Sequence, residues 1–108
     1  MKNIFLTGVT GFIGSHFLKK SLCEGHKIKA LIRNKTKIPK SIISNITCEF
    51  GDLEDVDEKM LENCDTLVHL ASAGVSPKKV KFDEMLLSNV FGTFKLIEVA
   101  AKSKIKRI

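Results

Sequence analysis

The chain contains no tryptophan and no tyrosine, and its seven phenylalanines are its only aromatic residues. No phenol can therefore serve it as a general acid or base. The shortage also argues against nucleic acid, despite a formal charge of +6 and a pI near 9.4. Lys78, Lys79 and Lys81, and the cluster Lys102, Lys104, Lys106 and Arg107, have no aromatic residues interleaved to stack on bases. Cysteine is scarce too. Cys23, Cys48 and Cys64 are odd in number and lack a CxxC spacing, so they indicate neither a disulfide framework nor a metal site; buried, reduced, structural thiols are expected. No apolar run approaches the roughly eighteen residues of a membrane span. Lys2 followed by Ile4, Phe5 and Leu6 imitates a signal peptide only until Thr7 and Gly8 interrupt it. A cytoplasmic protein is expected, without membrane or nucleic-acid partners.

What remains is ordinary for one small α/β domain: 108 residues, 44% hydrophobic and 28% charged, without repeats or low-complexity stretches. Apolar runs alternate with helical periodicity along the whole chain. Strands are expected around residues 4–6, 28–32, 46–50 and 66–71. Helices are expected over 12–24, where Gly25 supplies a left-handed stop, over 56–63 and over 82–102. Residues 33–41 read as a polar loop. In the long helix Phe82, Leu86, Val90, Phe94, Ile97 and Ala101 recur at helical spacing, and that stripe is assigned to the core. Lys104 to Ile108 read as the approach to a fifth strand. Strands alternating with helices imply a parallel sheet with right-handed crossovers. The expected fold is a Rossmann-like, doubly wound sheet of strand order 3-2-1-4, cut short before or at strand five.

The chemistry concentrates in Thr7-Gly8-Val9-Thr10-Gly11-Phe12-Ile13-Gly14, where glycines spaced by three lie between a strand and a helix. Gly8 can take the dihedrals of a tight turn, Gly11 has no Cβ to block a pyrophosphate, and Gly14 permits close helix packing. The amides opening the helix would face the phosphates. The bland alternative is a glycine-rich turn that binds nothing. At the end of the second strand, Ala30-Leu31-Ile32-Arg33 offers a guanidinium where an acidic residue would favour NAD, and arginine can grip a 2′-phosphate with two parallel bonds. Alternatively Arg33 is a solvated surface residue. Asp52, ahead of Glu54, Asp55 and Asp57, suits a helix cap.

These motifs resemble the extended branch of the short-chain dehydrogenase/reductase superfamily, the NAD(P)-dependent epimerase/dehydratase family. The matches come in the family's order: TGxxGxxG at Gly8, Gly11 and Gly14; Gly25-His26; Gly51-Asp52-Leu53; His69-Leu70-Ala71-Ser72; and Asn89-Val90-Phe91-Gly92-Thr93. The resemblance implies that residues 1–108 form an NAD(P)-binding domain, the N-terminal part of a longer enzyme acting on a nucleotide-linked sugar. It implies cofactor contacts from Gly8, Thr10, Gly11, Phe12, Ile13 and Gly14. Arg33 would select NADP, with NAD the second choice. Asp52 would meet the adenine amino group beside Leu53, while Leu70, Ala71 and Ser72 would pass the pyrophosphate and nicotinamide ribose. Asn89 would help arrange the active-site side, or else is simply a polar helix residue. His16 and His69 are expected to pack rather than react, and His26 to sit in a turn. The family's catalytic Ser and YxxxK are missing, so no catalytic residue is assigned and no turnover is expected of these residues alone. A non-catalytic NADP-binding module or redox sensor is the alternative. Self-association through the edge left by an incomplete fifth strand is a further expectation.

Overall fold

The structure, a computed structural model, describes residues 1–33, 39–71 and 82–108. Four parallel strands, β1 (Asn3–Thr7), β2 (Lys27–Ile32), β3 (Thr47–Phe50) and β4 (Thr66–His69), form one sheet in the order β3-β2-β1-β4. This is the expected order, and it places the reversal between β2 and β4, on either side of β1. The register is continuous, with Ile4 beside Ile28 and Thr66, and Thr7 beside His69. A first pair toward a fifth strand is also formed, because Arg107 bridges Thr66 in parallel.

Both faces of the sheet are covered, and alternation along each strand sorts residues between them. Ile4, Leu6, Ile28, Ala30 and Ile32 pack with Leu18 and Phe17 of α1 (Phe12–Cys23). Ile42 and Ile43, from the short helix α2 (Lys40–Ile43), close that layer. On the other face Phe5, Leu31 and Leu67 meet Leu96 and Ala100. Those two residues belong to a long helical segment made of α3 (Phe82–Leu86), a π turn (Leu87–Phe91) and α4 (Gly92–Lys102).

Three expectations fail locally. Residues 56–63 form turns, not a helix. Asp57 Oδ1 accepts the Met60 amide, and the Lys29 ammonium, reaching across from β2, donates to the carbonyls of Met60 and Glu62. Asn63 ends the segment with φ of 67°. Side-chain bonds to the local backbone compete with helix formation in this way. Ahead of the turns, Leu53–Asp55 forms a 3-10 turn that the Asp55 carboxylate ties to the Asp52 amide at 2.8 Å.

The second failure is the apolar stripe of the long helix. Phe82, Val90, Phe94 and Ile97 are exposed, as is Ala101, whereas Gly92, Leu96 and Ala100 are buried against the sheet. The buried row is the narrower one, and small residues at i and i+8 let the helix axis approach β1 and β4. The third concerns the thiols. Cys64 is buried and Cys48 half-buried, and burial raises both; Cys23 is exposed. Among the described residues no helix is long and apolar enough to cross a membrane.

Candidate functional site

In a parallel sheet every strand ends at the same edge, so Thr7, Ile32, Phe50 and His69 bring their following residues together. That edge collects nearly all of the residues singled out in the sequence. Val9 is buried under the β1–α1 turn and anchors it, while Thr10, Gly11, Phe12 and Ile13 stay exposed above. Gly11 caps α1, its amide bonded to the Gly8 carbonyl at 3.1 Å. The first amides of α1 lie beyond the reach of intrahelical acceptors and open onto this exposed shelf.

Each glycine can be tested by the space a methyl group would need. At Gly8, where φ is +79°, a Cβ would lie 2.6 Å from the Ala71 nitrogen and the Leu70 carbonyl carbon. At Gly14 it would lie 1.8 Å from the Gly8 oxygen. These two glycines therefore set how closely β4 and α1 approach the turn. Gly11 differs: its nearest neighbour would be the Gly8 oxygen at 3.4 Å, an ordinary contact. Among the described residues nothing needs a glycine there, and Gly11 is exposed.

At the same edge Arg33 follows β2 and Asp52 follows β3, their Nη1 and Oδ1 atoms 3.6 Å apart. Both are well exposed, at 77% and 64% for their side chains. Such an ion pair contributes at most about 1 kcal/mol. Leu53, next in the chain, turns its side chain into the core with Phe5, Leu31 and Leu96. Leu70 is partly exposed and Ala71 half-buried beside the glycine turn. Asn89 is half-buried within the π turn. Ser72 lies outside the described residues, as do Lys78, Lys79 and Lys81.

Two threonines that the sequence reading passed over join this edge through His69. Thr7 Oγ1 lies 2.6 Å from His69 Nδ1, and His69 Nε2 lies 2.9 Å from Thr93 Oγ1. The same Thr7 oxygen accepts the amides of Leu70 and Ala71 at 3.2 and 3.3 Å. His69 is thus more than a packing residue. Burial pushes its imidazole below the ordinary value of 6.5. The available signal was parity, since Thr7 and His69 each lie two residues beyond a core residue of the α4 face, Phe5 and Leu67. His16 is exposed and also differs from expectation. Its ring lies 4.7 Å from that of Phe12, and its Nδ1 is 2.8 Å from the Phe12 carbonyl. His26 sits after the α1 stop as expected, with Nδ1 accepting the Lys2 amide at 3.0 Å.

The larger of the two described hollows, about 640 Å³, opens at the opposite end of the sheet, among Asn3, Leu61, Cys64 and Lys106. It touches none of the residues of the candidate site. Among the described residues the candidate site is a shelf of backbone. Among the described residues no cluster of three or more His, Cys, Asp or Glu could hold a metal ion.

Comparison with known proteins converges on one family. The model of the NAD dependent epimerase/dehydratase family matches residues 4–108. The chain is 30% identical over 111 residues to dTDP-6-deoxy-L-talose 4-dehydrogenase (NAD(+)) of Aggregatibacter actinomycetemcomitans, covering 98% of this chain and 39% of that protein. It is 28% identical over 105 residues to the decarboxylating sterol-4-alpha-carboxylate 3-dehydrogenase of Dictyostelium discoideum, covering 95% and 32%. Among solved structures it is similar to MoeE5 in complex with UDP-glucose and NAD, with a TM-score of 0.79 and 30% identity over 95% of this chain and 33% of that one. The chain spans about a third of the length of these relatives.

Proposed function

The chain belongs to the NAD dependent epimerase/dehydratase family, and from that premise we propose that residues 1–108 are the dinucleotide-binding domain of an enzyme acting on a nucleotide-linked sugar. The observation that carries the reading is the contrast among the three glycines. Gly8 and Gly14 are required by backbone contacts at 2.6 and 1.8 Å, while the space at Gly11 serves no packing contact among the described residues. A pyrophosphate lying over Gly11, against the first amides of α1, accounts for that space. Thr10, Phe12 and Ile13 flank it, and Leu70 and Ala71 border it on the β4 side. Asp52 extends the site toward the adenine. A bound nicotinamide supplies a hydride donor or acceptor for a sugar carbon. The sugar reading draws on the names of the talose dehydrogenase and of the UDP-glucose complex.

NADP as the preferred cofactor rests on Arg33 and departs from the NAD named for those two proteins. Arg33 follows β2, beside the adenosine end of the proposed site, and among the described residues it pairs weakly with the exposed Asp52. A 2′-phosphate would offer it two charge-assisted bonds at little cost. One such bond contributes about 1.5 to 3 kcal/mol, or roughly tenfold to a hundredfold in affinity. Calorimetric titration of the wild type and of Arg33→Ala with NADPH and NADH tests this. NADPH should bind more tightly to the wild type, and the substitution should remove that difference while leaving NADH nearly unchanged. Equal losses for both nucleotides would refute the preference.

A further inference from the structure

Thr7 has one hydroxyl proton and two lone pairs, and the structure offers a partner for each. Its oxygen accepts the amide of Ala71 and shares that of Leu70 with the Thr7 carbonyl, which lies 3.2 Å from the same nitrogen, so both lone pairs face donors. That arrangement leaves the proton for His69 Nδ1, 2.6 Å away. Nδ1 is therefore an acceptor, so the single proton of the neutral ring sits on Nε2 and is donated to Thr93 Oγ1 at 2.9 Å. The chain of bonds runs one way, from Thr7 through His69 to α4. It joins residues 62 and then 24 positions apart. A proton added at Nδ1 would oppose the Thr7 proton, and Thr7 would have to turn away from the Ala71 amide or from its share of the Leu70 amide.

Of those two amides, that of Ala71 belongs to the peptide that borders the glycine turn. The carbonyl carbon of Leu70 and the nitrogen of Ala71 are the atoms a Gly8 Cβ would strike at 2.6 Å, so their placement sets one wall of the shelf. We propose that His69 is a positioning residue for the dinucleotide site: as its Nε2-protonated tautomer, held between Thr7 and Thr93, it locks the Leu70–Ala71 backbone against Gly8. The inference rests on the dinucleotide reading above. It adds to that reading a tautomer and a partner on α4, far from the phosphates in sequence.

The test uses the 108-residue chain with 15N-labelled histidine, and needs no variant for its first arm. The His69 ring nitrogens should give an acceptor-type Nδ1 and a protonated Nε2; a proton on Nδ1 would overturn the proposal. The second arm compares Thr93→Val, nearly the same in shape, with Thr93→Ser, which keeps the hydroxyl. NADPH binding, followed by fluorescence well below the melting temperature, should weaken about threefold to tenfold in Thr93→Val and recover in Thr93→Ser. A purely structural role would lower the melting temperature of Thr93→Val and leave its NADPH affinity at the wild-type value, which overturns the inference alone. A wild-type chain that binds neither NADPH nor NADH overturns the dinucleotide reading, and the inference falls with it.

Discussion

At the carboxyl end of β1 the two faces of the sheet are built in opposite ways. Toward α1 the contact is made by side chains that are missing: the backbone of Gly14 rests on the Gly8 carbonyl with no room for a methyl group. Toward α4 it is made by side chains that are present, with Thr7, His69 and Thr93 bonded in sequence. The first arrangement is rigid because its atoms are backbone, and any added atom must displace a strand or a helix. The second can be adjusted, since a hydroxyl can turn and an imidazole can change its protonation. The same strand end thus combines a fixed wall with a tunable one.

The sharpest way to break that contrast is to add one methyl group on the fixed side. Gly14→Ala places a Cβ 1.8 Å from the Gly8 oxygen, and relief requires moving α1 off the turn. Overpacking of side chains costs about 1 to 3 kcal/mol. A clash between two backbone segments should exceed that range, at about 4 kcal/mol or more, and thermal unfolding followed by circular dichroism should show the loss. Gly11→Ala meets only an ordinary contact at 3.4 Å. Its melting temperature should change by less than the equivalent of about 1 kcal/mol, while NADPH binding is lost. Equal destabilisation by the two substitutions would erase the distinction between a glycine needed for packing and one needed for a ligand.

On the opposite side the comparison can be sharpened within α4. Leu96 is fully buried between Phe5 and Leu67, whereas Phe94, two residues away, is 70% exposed. Leu96→Ala should cost about 3 kcal/mol, the middle of the usual range for a buried leucine. Phe94→Ala should lie within about 0.5 kcal/mol of the wild type. Urea unfolding of both variants would check the assignment. A larger loss for Phe94 would restore the stripe that the sequence favours.

How that stripe misled is instructive. Glycines with backbone tasks follow one another in a single short run, the apolar run Ile4, Phe5 and Leu6 places β1 before it, and strands alternate with helices, so the strand order and the turn were legible. The face of the long helix was not. Phe82, Val90, Phe94 and Ile97 form a row of large apolar residues at helical spacing, and so do the smaller Gly92, Leu96 and Ala100. Size favours the first row, yet close packing on a sheet favours the second. The π turn at Leu87–Phe91 also inserts a residue into the helical period, so positions before and after it do not share one face. The missing helix at 56–63 depends on Lys29, which donates to its carbonyls from another strand. The bonds among Thr7, His69 and Thr93 were hidden for the same reason, since each joins residues far apart in the chain.

The smallest effect concerns the tunable wall and follows from the sign of the His69 shift. Burial lowers its pKa in the folded chain below the ordinary 6.5, and its hydrogen-bond partners are two uncharged threonines. Between the folded and unfolded values, the unfolded chain binds the extra proton. Stability from the neutral ring is therefore complete above pH 6.5 and declines as pH falls toward the folded value. Melting temperatures of the wild type should accordingly drop on acidification below pH 6.5. His69→Gln keeps a donor for Thr93 and has no titratable ring, so it should melt lower at pH 7.5 yet show a flatter dependence between pH 6.5 and 5. A parallel slope in the two proteins would mean that His69 is protonated without disturbing Thr7, and the wall on the α4 side would then be as insensitive to protons as the glycine wall facing α1.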